Sequence, residues 1–104
     1  MKVFVAGKIS GISKAKVLTK FKKAKKKLLK QNHEVLIPTI LPSEKELKSF
    51  THEDYLHICQ GMIDVCDAVY MLKDWQSSTE AREERSYALE WRKVILYEDE
   101  STKE

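Results

Sequence analysis

DAVYMLKDWQSSTEAREE, residues 67–84, contains the change of period that decides how this chain folds. DAVYML is an apolar run without polar alternation, the pattern of a strand buried on both faces. KDWQSS interrupts it, and from Thr79 the apolar residues Ala81, Ala88 and Trp91 return at helical spacing. A doubly buried strand that feeds a helix through a short loop is half of a parallel β-α-β unit.

The same alternation recurs on both sides of this stretch. KVFVA, residues 2–6, reads as a buried strand ended by Gly7, and residues 13–31 as a helix carrying Val17, Phe21, Ala24 and Leu28 on one face. Asn32 follows as a left-handed stop. EVLIP, 34–38, is a strand closed by Pro38, followed by a loop with Pro42. Residues 52–65 read as a helix with Tyr55, Ile58, Cys59, Met62 and Ile63 on one side, 79–92 as a helix, and VILY, 94–97, as a fourth strand. Strand–helix alternation over short links predicts a flavodoxin-like or Rossmann-like α/β three-layer sandwich, with a four-stranded parallel sheet in the order 2-1-3-4. Residues 1–98 form the single expected domain, and the acidic tail 99–104 is expected to fray.

Composition narrows the function classes. The 104 residues include neither a long apolar run nor an apolar segment behind Met1, so no membrane span or signal peptide is expected and the reading is cytoplasmic. Cys59 and Cys66 lie two helical turns apart and read as reduced core thiols. His33, His52 and His57 lack metal-ligand spacing with them, so no metal site or cofactor is expected. The net charge of +3 hides an asymmetry: residues 1–30 hold eleven Lys and no acid, whereas residues 31–104 hold 8 basic and all 16 acidic residues, giving +11 and −8. Nucleic-acid binding is conceivable for such a helix, but no aromatics interleave with its lysines, which favours a solvated surface.

In a sheet of this order, ligands bind at the carboxyl ends of the strands, between the first and third. Two loops flank that crevice: GKISG, residues 7–11, and KDWQSS, residues 73–78. Around the last helix, with Ala81 at zero, Ala88 falls near 340° and Glu84 near about 300°, inside the apolar arc. A carboxylate there is paired, protonated or facing a pocket. Lys8 or an arginine is the candidate ion-pair partner. Ser77 and Ser78 suit capping, and Ser77-Ser78-Thr79-Glu80 has capping-box form; the same helix start also suits a phosphate or a sugar hydroxyl. Trp75 reads as a lid or a surface anchor. Asp64 and Asp67 read as turn and cap residues at the far end of the sheet.

VFVAGKISG, ICQGMIDVCDAVYML, a Trp, and Ser-x-x-Ala-x-x-Glu-x-x-x-Ala at 78–88 occur here in order, and the chain resembles the DUF4406 proteins, relatives of the nucleoside 2-deoxyribosyltransferases. The resemblance implies cleavage or exchange at a nucleoside or nucleotide N-glycosidic bond, with Glu84 as nucleophile. It also implies that Gly7, Lys8, Ile9, Ser10, Gly11, Trp75, Ser77 and Ser78 border the substrate pocket, and that a homodimer forms. Two positions depart from the enzymes: Glu80 stands where they have a glycine, and Cys59 where they have an Asp. Asp54, Tyr55 and His57 are candidates for the missing proton handling. The alternative from another class is a catalytically silent nucleotide-binding module.

Overall fold

A computed structural model describes residues 1–38 and 49–103. The predicted loop around Pro42 lies outside the described residues. Four strands, β1 (Lys2–Ala6), β2 (Glu34–Leu36), β3 (Ala68–Met71) and β4 (Val94–Tyr97), form one parallel sheet in the order β2-β1-β3-β4. Helices α1 (Lys14–Lys30), α2 (His52–Asp64) and α3 (Thr79–Glu90) cover its faces.

Strand alternation divides the core in two. Val3, Val5, Ala68, Tyr70 and Leu72 point to one face, where Val17, Phe21, Ala24 and Leu28 of α1 bury their stripe. Phe4, Ala6, Val69 and Met71 point to the other and pack with Cys59 and Ile63 of α2 and with Ala81 and Ala88 of α3. From Val3 to Ala6 and from Ala68 to Met71 the two central strands are therefore apolar and buried at every position, which is why both stretches lack polar alternation. In register, Val3 pairs with Ala68 and Ala6 with Met71, bringing the loops after β1 and β3 out side by side.

Asn32, at φ 66°, ends α1 as its position suggested. Arg92, at φ 58°, acts similarly after α3. That helix stops at Glu90, and Trp91 at its cap is 60% exposed, its ring tilted against Tyr87 with centroids 6.2 Å apart. Glu100–Thr102 form a 3-10 turn, whose Thr102 hydroxyl accepts the Trp75 indole N–H at 3.0 Å.

Asp67 accepts the Lys2 backbone N–H at 2.8 Å, and Asp64 accepts the Tyr87 hydroxyl at 2.6 Å. Both lie at the amino end of β3, the turn and cap positions assigned to them. Cys59 and Cys66 are free and buried, as expected of core thiols.

Candidate functional site

The carboxyl ends of β1 and β3 bring the two loops of the expected crevice together. Asp74 joins them: its carboxylate accepts the Lys8 backbone N–H at 3.0 Å and also binds the Lys20 ammonium. Gly11 sits at φ +80°, a left-handed turn that glycine adopts without steric cost. Gly7 serves a different need. A Cβ there would lie 2.5 Å from Leu72 Cδ1 and 2.9 Å from Leu72 Cβ, so close packing between the strand ends requires a residue without a side chain. Ile9 packs half-buried against the α1 side of the core.

Ser78, not Ser77, caps α3. Its Oγ accepts the Ala81 N–H at 3.1 Å, while Ser77 lies in the preceding 3-10 turn, Trp75–Ser77, and donates its hydroxyl to the Asp74 carbonyl. The cap thus falls one residue later than the Ser77–Glu80 capping box requires. Glu80 is the second helical residue, and its carboxylate is released from capping. It accepts the Ser10 hydroxyl at 3.3 Å and the Ser78 hydroxyl at 3.4 Å, with His52 Nδ1 at 3.8 Å. Three elements of the crevice, the β1–α1 loop, the start of α2 and the start of α3, therefore meet on one side chain.

Glu84 follows Glu80 by one helical turn on the same side of α3. It is only 3% exposed, and its Oε2 has no hydrogen-bond partner among the described residues. No ion pair reaches it among those residues, so neither Lys8 nor an arginine plays the partner suggested by the pattern. Arg85, its neighbour in sequence, turns away and lies over the Trp75 ring at 4.7 Å, with its Nε donating to the Tyr97 hydroxyl at 3.0 Å.

Facing Glu84 from α2 are Cys59 and Tyr55, one turn apart. The Tyr55 hydroxyl is likewise buried without a partner of regular geometry among the described residues. Burial, opposed by the Cys59 thiol and reinforced by the charges of Glu80 and Glu83, raises the Glu84 carboxyl from 4.5 to about 8. Burial and the Glu84 charge push the Cys59 thiol up to about 12. Burial first, with Cys59 and Glu84 adding to it, also holds the Tyr55 hydroxyl far above its usual value. In the free protein at neutral pH this is a cluster of three neutral, proton-bearing groups: the dry Glu84 carboxyl, the Cys59 thiol and the Tyr55 hydroxyl.

The other residues proposed for proton handling are not brought to it. Asp54 forms the capping box of α2 with Thr51, accepting the Thr51 N–H at 2.9 Å, and His57 is exposed. Trp75 is neither lid nor surface anchor: at 5% exposure it packs on Tyr97, with ring centroids 6.1 Å apart, beneath the carboxyl-terminal turn. Sequence reasoning missed Glu80 and His52 as a junction. The signal available was the i, i+4 spacing of Glu80 and Glu84. Three described grooves lie elsewhere: one of about 430 Å³ along the lysine face of α1 beside Lys23, Lys27 and Gln31, one of about 370 Å³ on the outer side of α2 and α3 past Gln60, Arg82 and Tyr87, and one of about 340 Å³ at the opposite end of the sheet beside Lys2, Glu34 and Cys66.

The described residues hold no group of three or more His, Cys, Asp or Glu side chains arranged for a metal. No described helix is long and apolar enough to cross a membrane. The model of a family described as "Domain of unknown function (DUF4406)" matches residues 1–97. That match covers most of the chain, and the chain belongs to this family. A comparison with curated proteins finds no match.

Proposed function

We propose that this member of the DUF4406 family acts on the N-glycosidic bond of a nucleoside or nucleotide, with Glu84 as the nucleophile. The observation that supports this reading best is the state of Glu84: a carboxyl 97% removed from solvent, unpaired by any cation and with one oxygen unpartnered among the described residues, beside the loops of the strand-order crevice. Leaving a buried polar atom unsatisfied costs about 1–3 kcal/mol, and a purely structural position would have been filled more stably by an apolar residue.

In the proposed reaction the ionised Glu84 oxygen bonds to the anomeric carbon as the carbon–nitrogen bond breaks. The base leaves with the bonding electron pair and takes up a proton. Water or a second base then attacks the same carbon, and Glu84 departs as a carboxylate. The dry surroundings that raise its pKa also strengthen the carboxylate as a nucleophile once it is ionised. Tyr55 and Cys59 are the proton-bearing neighbours within the cluster. Intact-mass and peptide mass spectrometry after incubation with a panel of deoxyribonucleosides tests this: a pentosyl adduct on the Glu84 peptide, absent from Glu84→Gln, is the expected result.

A second reading, a nucleotide-binding module without catalysis, is favoured by one observation. Cys59 occupies the position where the resembled enzymes have an Asp, and a thiol held near 12 is a poor acid for a departing base. Ligand binding without either adduct or base release is the outcome that selects it.

A further inference from the structure

We infer that Glu80 is a specificity-determining residue that closes the entrance of the Glu84 crevice to phosphorylated ligands, so that the site takes neutral nucleosides. The inference rests on the proposed reading for the identity of the ligand, but the role of Glu80 stands on its own geometry. The first turn of α3 presents free backbone N–H groups and the positive end of a helix dipole, features that favour an anion. An anion is already there, covalently attached. The Glu80 carboxylate accepts hydroxyl hydrogen bonds from Ser10 at 3.3 Å and Ser78 at 3.4 Å and has the His52 ring 3.8 Å away. These are donors that a phosphate at this helix start would use. One turn deeper on the same face lies the unpartnered Oε2 of Glu84, which marks where a ligand's reacting end belongs.

The consequence is a selection by charge. A nucleoside whose 5′ end is a hydroxyl can donate to the Glu80 carboxylate and leave its contacts to Ser10 and Ser78 intact. A 5′-phosphate would bring two charges against a third in a partly dry mouth and compete for the same serine hydroxyls. His52 also contacts Glu83 at 3.2 Å, so it does not serve Glu80 alone.

The test compares wild type, Glu80→Gln and Glu80→Gly by calorimetric titration with deoxynucleosides, their 5′-monophosphates and inorganic phosphate. Gln keeps the shape and removes the charge; Gly vacates the seat. The inference predicts that wild type binds monophosphates at least tenfold more weakly than nucleosides, that this gap closes or inverts in both variants, and that Glu80→Gly gains inorganic phosphate binding which wild type lacks. Equal affinity of wild type for both ligand classes, or variants with an unchanged gap and no gain of phosphate binding, overturns it. Absence of nucleoside binding in all three proteins overturns the nucleoside reading instead, and the phosphate arm then decides the role of Glu80 by itself.

Discussion

Replacing Glu84 by Gln separates a neutral buried carboxyl from an ion-paired one through stability alone. In the unfolded chain this carboxyl titrates at about 4.5, and in the folded protein burial raises it to about 8. Between those values the folded state holds a proton that the unfolded state has released, so stability is full below about pH 4.5, falls as pH rises toward 8, and levels off above it. At about 1.4 kcal/mol per pH unit over the 2.5 units from 4.5 to 7, the loss by pH 7 is at most about 3.5 kcal/mol. Gln is neutral in both states and escapes this loss. Its amide adds donors that must find partners among Cys59 and Tyr55, which reduces the gain to about 1–3 kcal/mol at pH 7. Urea unfolding of both proteins at pH 4.5, 6, 7 and 8.5 is the assay. Glu84→Gln is expected to lie below wild type at pH 4.5 by the cost of its amide donors, to overtake it by pH 7 and to exceed it further at pH 8.5. A variant less stable than wild type at pH 7, by an amount that does not shrink toward pH 4.5, would refute the reasoning and identify Glu84 as an ionised partner of a cation.

If the ionised form of Glu84 attacks, kcat/KM for base release should rise with pH, pass half its plateau near pH 8 and level above about pH 9, since the free protein holds the carboxyl mostly protonated below pH 8. A pH–rate profile flat from 6 to 9 contradicts this. Gly7→Ala places a methyl group against Leu72 and should destabilise the fold by about 1–3 kcal/mol, measured by thermal unfolding, whether or not a ligand is present. Changing Lys22, Lys23, Lys26 and Lys27 together to Gln should alter stability by no more than about 0.5 kcal/mol per residue. The unmodified protein is expected to show no tight nucleic-acid binding at physiological salt, as followed by fluorescence anisotropy, because α1 spends its apolar stripe on the core and presents no aromatic residues with its lysines.

The parallel sheet was legible because its central strands, buried on both faces, leave uninterrupted apolar runs, while α1 keeps a clean stripe from Val17 to Leu28. Glu84 was legible as an anomaly because one turn of helix links it to Ala81 and Ala88, and the arc holds along regular helix. The same extrapolation failed at Trp91, which lies one residue past the end of α3 and is 60% exposed. Ser77 and Ser78 were equivalent as letters. The 3-10 turn at Trp75–Ser77 chose between them, shifting the cap by one residue and freeing Glu80 from the capping box. Trp75 and the final turn were missed together, because each is ordered by the other: the indole needs Thr102 as acceptor, and Glu100–Thr102 needs the ring as a platform. Tyr55 came forward from the three proton-handling candidates for a geometric reason: among Asp54, Tyr55 and His57 it lies one turn from Cys59 on the face of α2 that meets α3.

The most direct measurement is release of free base, followed by chromatography, from a panel of deoxyribonucleosides and their monophosphates incubated with wild type and Glu84→Gln at pH 8, where about half of the Glu84 carboxyl is ionised. The account predicts release by wild type from at least one nucleoside and a loss of several orders of magnitude in the variant, whose folding is intact. No release by wild type from any substrate, or equal release by both proteins, would contradict it.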